Sequence, residues 1–203
     1  MDNYRLQVEA AKRYFLGYDQ DALVQKLGLE QDAHYLYATM LYKKYRIHRA
    51  TGNVERLEEN WVRTDNHGEV MTLLDLVCDS REDRRLSHRW ANMLSFGGMF
   101  HRDLMENGRD ALAQEIQANP EAFCRVCGEM QAGKAPGGDL GFTFALFDGL
   151  EIALQFWAGD EEFDPRLRFL WDENARMYLK YETMWFALGM LRRRILEGMG
   201  QNF

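Results

Sequence analysis

The sequence has no apolar stretch long enough to cross a lipid bilayer. A transmembrane helix needs about 20 apolar residues, whereas the stretch from Trp185 to Leu191 is far shorter and is followed directly by Arg192–Arg194. The N-terminus also lacks the basic start, apolar run and small-residue cleavage site of a signal peptide. These absences predict a cytoplasmic protein that does not cross a membrane.

The chain has fewer basic than acidic residues. The 203 residues contain 25 Lys and Arg against 32 Asp and Glu, which gives a formal net charge of −7. A field of this sign repels phosphate backbones and anionic lipid. We therefore expect neither nucleic acid nor a membrane surface among the partners.

Cysteine is also scarce, with three in the chain. An odd number without an export signal indicates reduced thiols rather than a disulfide framework. Cys124 and Cys127 have the C-x-x-C spacing of metal and redox sites, but Cys78 stands alone, so a zinc site would need a distant histidine. We expect the two thiols to pack on a helix, with metal or redox use as the alternative.

The familiar catalytic motifs are missing. No serine lies in a G-x-S-x-G elbow, and no histidine pair has H-E-x-x-H spacing. A nucleophile, base and orienting group do not occur in a recognisable order. The sequence therefore leaves open whether the protein is an enzyme, and it identifies no cofactor.

What the sequence does contain is an α+β pattern. N-terminal helices, a mostly helical middle from residue 66 to 130 and a long C-terminal helix from about Asn174 follow from the 3.6-residue apolar period. Alternating residues and turn chemistry predict antiparallel strands in one sheet. The strands are predicted at 33–40, 43–49 and 54–57, and on both sides of Asp148-Gly149. We expect one α+β domain over residues 1–203.

An acidic segment is the most informative chemical feature. It follows a predicted strand and lies between Trp157 and Phe163, and its three carboxylates are Asp160, Glu161 and Glu162. Such a group can bind a hard cation or a cationic ligand, or hold a carboxyl of raised pKa for proton transfer. The alternative is a solvated turn in which Asp164 caps a short helix that begins at Pro165.

Further residues complete the predicted ligand site. Asp172 is predicted to cap the final helix, where Tyr178 and Glu182 would share a face. The paired glycines Gly97 and Gly98 allow a sharp loop beside the site. We expect a small molecule or a partner protein to bind among these residues.

The motifs resemble those of the domain-of-unknown-function family 3786. The resemblance covers most of the chain and is carried by the segment from Leu41 to Ile47 followed by Thr51-Gly52, and above all by the segment from Trp157 to Phe163. Its downstream part comprises Asp172, Tyr178-Leu179 and Glu182. The family usually has a proline in the strand before the acidic motif, whereas this chain has none between Pro136 and Pro165.

The resemblance implies a prokaryotic cytoplasmic protein, often from anaerobes. Some relatives carry an additional cysteine-rich iron–sulfur domain like that of corrinoid proteins. This implies a binding or accessory protein linked to redox or one-carbon metabolism, with any cluster supplied by a partner. The alternatives are a carboxylate- or metal-dependent hydrolase or lyase, and an interaction domain without a ligand.

Overall fold

The computed structural model describes residues 3–97 and 110–201. The chain forms two compact units. The first unit comprises residues 1–85, 146–148 and 176–190, and the second comprises residues 86–145, 149–175 and 191–203. The architecture is α+β with two antiparallel sheets, which confirms the predicted fold class. Whether the chain is one domain stays a prediction.

The first sheet is an antiparallel meander of five strands in chain order. The hairpin between β2 and β3 turns at Leu41 and Tyr42, where both φ angles are positive, as a tight two-residue turn requires. One face of the sheet carries the buried side chains of Leu36, Tyr45 and Ile47. The strands are β1 (Glu30–Gln31), β2 (Tyr35–Met40), β3 (Lys43–His48), β4 (Val54–Leu57) and β5 (Trp61–Arg63).

Three helices of the first unit flank this meander in sequence. Helix α2 begins after Asp19, whose carboxylate accepts from two backbone amides, and is followed by Gly28, which caps it with a φ of 62°. Asn66 caps α3 by accepting from the amide of Glu69 at 3.1 Å. Helices α1 and α3 pack against each other. Their bounds are α1 (Asn3–Leu16), α2 (Gln20–Leu27) and α3 (His67–Asp79).

The second sheet has the strand order β6-β10-β9-β8-β7. Its hairpin turns at Asp148-Gly149, with φ angles of 49° and 79°, which confirms the prediction for this dipeptide. The strands are β6 (Trp90–Asn92), β7 (Gly133–Lys134), β8 (Leu140–Phe147), β9 (Leu150–Trp157) and β10 (Arg166–Asp172). The remaining helices are α4 (Ala111–Ala118), α5 (Pro120–Glu129) and α6 (Tyr181–Gly198), with short 3-10 helices at Met93–Phe96 and Ala175–Met177.

Several sequence predictions are wrong. The strands form two sheets rather than one, and the middle segment includes strand β6. Pro165 precedes strand β10 instead of opening a helix, and Asp172 ends that strand rather than capping the final helix, which begins at Tyr181. The physical reason lies in β10, where exposed Arg166 and Arg168 alternate with apolar residues at the two-residue period of a strand.

Candidate functional site

The predicted acidic segment forms an exposed turn of the second unit. The Asp160 carboxylate accepts from the backbone amides of Glu162 at 2.8 Å and Phe163 at 2.9 Å. These two hydrogen bonds hold the pKa of Asp160 below its ordinary value. Glu161 is exposed, and the Phe163 side chain is 69% exposed. The known partners of Asp160 are therefore the backbone groups of its own turn.

Trp157 is half-buried at the end of β9, before this turn. The guanidinium groups of Arg166 and Arg168 lie 5.3 and 5.2 Å from its ring centroid. Both distances are within cation–π range. Trp157 thus packs with two arginines of β10, the strand that pairs with its own.

Asp172 is buried and organises the backbone beside β10. Its carboxylate accepts from the amides of Ser87 at 2.9 Å, His88 at 2.7 Å and Asn174 at 2.8 Å. Burial acts to raise its pKa, but these amides outweigh it and hold the pKa below the ordinary value. The same contacts fix His88 at a φ of 57°. This geometry gives Asp172 a structural role.

The other predicted site residues are dispersed. Gly97 follows a 3-10 helix with a φ of 89°, and Gly98 lies outside the described residues. Tyr178 is buried before α6, whereas Glu182 is exposed in its first turn, so they do not share a helix face. Both belong to the first unit, while the acidic turn belongs to the second. A common site for the whole set stays a prediction.

A pocket of about 450 Å³ lies within the first unit. Helices α1 and α3 and the residues where α6 begins form its walls. Its lining is Gln7, Ala10, Ala11, Tyr14, Met71, Leu74, Asp75, Asp79, Lys180 and Thr183. The volume and the mixture of apolar walls with a few polar groups are typical of small-molecule sites.

Asp75 and Asp79 lie on α3, and we call them the carboxyl pair. They form an ionic network with Lys180. Lys180 Nζ lies 3.1 Å from Asp75 Oδ1 and also contacts Asp79. The backbone amide of Lys180 donates to Asp75 Oδ2 at 2.8 Å. The hydroxyls of Tyr18 and Tyr14 donate to Asp79 Oδ1 at 2.7 and 3.2 Å. One lysine and two tyrosines therefore converge on the carboxyl pair.

Local helical spacing explains part of this convergence. Asp75 and Asp79 are four residues apart on α3 and so project from one face. Asp79 is the last residue of α3, where the helix dipole disfavours a negative charge. The ammonium of Lys180 offsets this unfavourable placement. A residue that violates a local rule in this way is typical of functional sites.

The pKa values of the two carboxyls are shifted in opposite directions. Burial raises the pKa of Asp75 above its ordinary value. Burial acts in the same direction on Asp79, but hydrogen bonds from Lys180 and Tyr18 outweigh it and lower its pKa. The same ion pairs raise the pKa of Lys180 against the effect of burial. Carboxyl groups whose pKa values are pushed apart are a feature of acid–base sites.

Sequence reasoning missed the carboxyl pair, although one signal was available. Asp75 lies in the run from Val70 to Cys78, where the other residues are apolar apart from Thr72. A carboxylate within an apolar helix is rarely buried without a partner. The partner, Lys180, is 105 residues away in sequence from Asp75, and no local pattern connects the two.

Metal ligation and membrane insertion have no structural sign within residues 3–97 and 110–201. Those residues include no group of three His, Cys, Asp or Glu side chains that could hold a metal ion. They also include no helix that is long and apolar enough to cross a membrane. All three cysteines are free, with Cys124 exposed and both Cys78 and Cys127 buried.

The fold and the pocket define a two-unit α+β protein whose first unit has a cavity of ligand size. The chain belongs to the family described as domain of unknown function (DUF3786), whose family model matches residues 19–194. Asp75, Asp79 and Lys180 lie within the matched range, whereas Tyr14 and Tyr18 precede it. No curated protein and no solved structure matches the chain.

Proposed function

We propose that the protein binds a small molecule in the pocket between α1, α3 and the beginning of α6. The observation that carries this proposal is a cavity of about 450 Å³ that ends at a partly buried ionic network. Polar groups that converge on an otherwise apolar pocket orient a ligand, and the apolar walls supply binding energy.

The apolar walls of the pocket and the carboxyl pair contribute to ligand binding in different ways. Ala10, Ala11, Met71 and Leu74 give the cavity apolar surface on both α1 and α3. The two alanines have short side chains, which keep space open beside α1. The carboxyl pair supplies the polar contacts that distinguish one ligand from another, because a buried polar group that loses its partner costs about 1–3 kcal/mol.

A library screen by thermal shift and ligand-observed NMR tests this function. Ala11→Phe fills the pocket, and Ala22→Phe introduces the same side chain at an exposed position of α2 as the matched control. We expect compounds that bind the wild type and the Ala22→Phe variant but not Ala11→Phe. If every binding compound is retained by folded Ala11→Phe, or no compound binds the wild type, the pocket is not the binding site.

A second candidate is an enzyme in which Asp75 donates a proton. The opposite pKa shifts of Asp75 and Asp79 favour it, since they separate the pKa values of two carboxyls that belong to a single site. Hydrolysis and elimination assays on a panel of esters, amides and hydroxy acids test it. Turnover should be lost in Asp75→Asn, and turnover unchanged in that variant would exclude Asp75 as the proton donor.

Two further expectations are supported by other observations. A link to anaerobic redox or one-carbon metabolism rests on the family resemblance, and a cluster or corrinoid would then come from a partner protein. A partner-binding role without a ligand rests on Phe163, which is 69% exposed beside the acidic turn. Native mass spectrometry of protein purified without oxygen tests both, because it detects a co-purified cofactor or a bound partner by mass.

A further inference from the structure

We propose that the ligand is a small apolar molecule with a protonated amine, and that its ammonium group binds Asp75 within the carboxyl pair. This inference rests on the proposed function, because it names the class of ligand for the same pocket. It follows from the charge balance of the lining, from an incompletely bonded oxygen and from the direction in which the neighbouring donors point.

The charge balance of the pocket is negative. Among its lining residues the charged side chains are Asp75, Asp79 and Lys180, so two carboxyls share one ammonium. When both carboxyls are ionised, one negative charge is not compensated by a cation of the lining. A second cation would balance it, and a charge is costly to bury unless it is paired.

One carboxylate oxygen has room for a further donor. Asp75 is 7% exposed and lines the cavity. The Thr183 side chain hydrogen-bonds the Asp75 carboxyl, and Asp75 Oδ1 has the ion-pair contact with Lys180 at 3.1 Å but accepts no hydrogen bond from the described residues. A carboxylate oxygen can accept two hydrogen bonds. A ligand N–H would supply the missing donor.

The hydroxyl donors of Tyr14 and Tyr18 and the ammonium of Lys180 are directed to the carboxyl pair. The hydroxyls of Tyr14 and Tyr18 are directed to Asp79, and Lys180 is shared between both carboxyls. An anionic ligand beside these donors would therefore meet the negative charge of the carboxyl pair. The Tyr14 ring, whose centroid is 5.8 Å from Lys180 Nζ, already lies near one cation. The environment favours cations over anions.

The rest of the ligand must be apolar and compact. The cavity of about 450 Å³ is bounded by alanines of α1 and by Met71 and Leu74 of α3. An aliphatic chain or an aromatic ring fits such walls, and methionine adapts to irregular shapes. Each buried methylene contributes roughly 0.8 kcal/mol, so the affinity should rise with the size of the ligand's apolar part until the cavity is filled.

Binding of an ammonium should release a proton from Asp75. Burial raises the pKa of this carboxyl, and a cation beside it lowers the pKa again. Because a primary amine keeps its proton up to a pH of about 10, affinity should increase as the pH rises through the pKa of Asp75. The titratable groups around Asp75 are Asp79 and Cys78 on α3, Tyr14 on α1, Tyr18 after it, Lys26 on α2, and Lys180 before α6.

Calorimetry with four primary amines tests the ligand class. The probes are butylamine, hexylamine, 2-phenylethylamine and tryptamine, and 2-phenylethanol and 3-phenylpropionate serve as the neutral and anionic counterparts of the aromatic amine. We expect at least one amine to bind, the affinity for 2-phenylethylamine to exceed that for 2-phenylethanol by about tenfold or more, and the acid not to bind. Ala11→Phe should abolish binding.

Two substitutions with opposite expected effects distinguish a change in ligand affinity from a folding defect. Asp75→Asn should remove the preference for the amine over the alcohol. Lys180→Gln, at a side chain that is 58% exposed, removes the competing cation and should tighten amine binding severalfold. A variant that had merely lost structure would not gain affinity. Unchanged or weaker amine binding in folded Lys180→Gln would overturn the proposal.

The outcomes separate this inference from the proposed function. If the alcohol or the acid binds as well as the amine and Ala11→Phe still abolishes binding, the pocket is a ligand site but the class is wrong. If no probe amine binds while the library yields neutral or acidic ligands that Ala11→Phe excludes, the class is again wrong. If no compound of either set depends on Ala11, the proposed function itself fails.

Discussion

Lys180 Nζ lies 3.1 Å from Asp75 Oδ1 and also contacts Asp79, so that a single ammonium joins two carboxyls one helical turn apart. The pKa of Asp79 is lowered and that of Asp75 is raised, because Asp79 also accepts a hydrogen bond from Tyr18, whereas Asp75 is the more deeply buried. This difference leads directly to an expectation for the pH dependence of stability.

Asp79→Asn should destabilise the protein at neutral pH by about 1–3 kcal/mol, because hydrogen bonds to the ionised carboxyl are lost. The folded pKa of Asp79 is lowered. Its contribution is therefore fully present above the unfolded pKa of about 3.9 and is lost as the pH falls toward the folded pKa. Urea unfolding of both proteins at several pH values should show the difference shrink in acid. Glu82→Gln, at an exposed site nearby in sequence, is the control and should change little.

Replacement by asparagine should lower the free energy of unfolding much more at Asp172 than at Asp160. Asp172 accepts from three backbone amides in a buried setting. An asparagine has one acceptor oxygen instead of two, so buried amides lose partners and the free energy of unfolding should fall by about 2 kcal/mol or more. Asp160→Asn, in an exposed turn, should lower the free energy of unfolding far less than Asp172→Asn does. Equal effects in thermal unfolding would contradict the structural role of Asp172.

Gly138 should not tolerate a side chain. Its φ is 78°, and a Cβ atom there would lie 2.5 Å from the carbonyl oxygen of Phe156. Gly138→Ala should therefore destabilise the protein by about 2 kcal/mol or more. Gly128→Ala is the matched control, because Gly128 lies in α5 with no atom within 4 Å of the added Cβ. That variant should be stabilised by about 0.5–1 kcal/mol.

The cysteines should react with iodoacetamide at different rates. Cys124 is exposed, whereas Cys78 and Cys127 are buried. Burial also raises the pKa of Cys78 to about 12 and raises that of Cys127, which depletes the reactive thiolate. Mass spectrometry of the native protein should show one modified thiol, at Cys124, well before the others. Rapid labelling of Cys127 would indicate a reactive C-x-x-C pair.

The sequence predicts local structure well where turn chemistry and alternation coincide. The meander and the Asp148-Gly149 hairpin are confirmed because a two-residue period and residues that favour tight turns act over a few neighbours, although the turn between β2 and β3 lies at Leu41-Tyr42 and has neither glycine nor asparagine. Strand β10 was missed because the segment after Pro165 also fits a helix start. The division into two sheets depends on pairings such as β6 with β10, which are distant in sequence.

The candidate site was less predictable than the fold. The acidic segment attracted attention because its carboxylates are adjacent in sequence, yet Asp160 bonds to its own turn. The carboxyl pair lies on one helix, and its partner Lys180 is about half the chain length away. Such a site depends on tertiary packing, and only Asp75 within an apolar helix gave any local indication of it.

The distance in sequence between α3 and Lys180 has a consequence for biosynthesis. Helix α3 leaves the ribosome carrying the carboxyl pair, and the ammonium partner of this pair follows 101 residues after Asp79. At an elongation rate of about 5–20 residues per second, the nascent helix remains without this cation for roughly 5–20 s. During translation, the pocket wall is thus completed late, and a chain that stops before residue 180 lacks the ammonium that contacts both carboxyls.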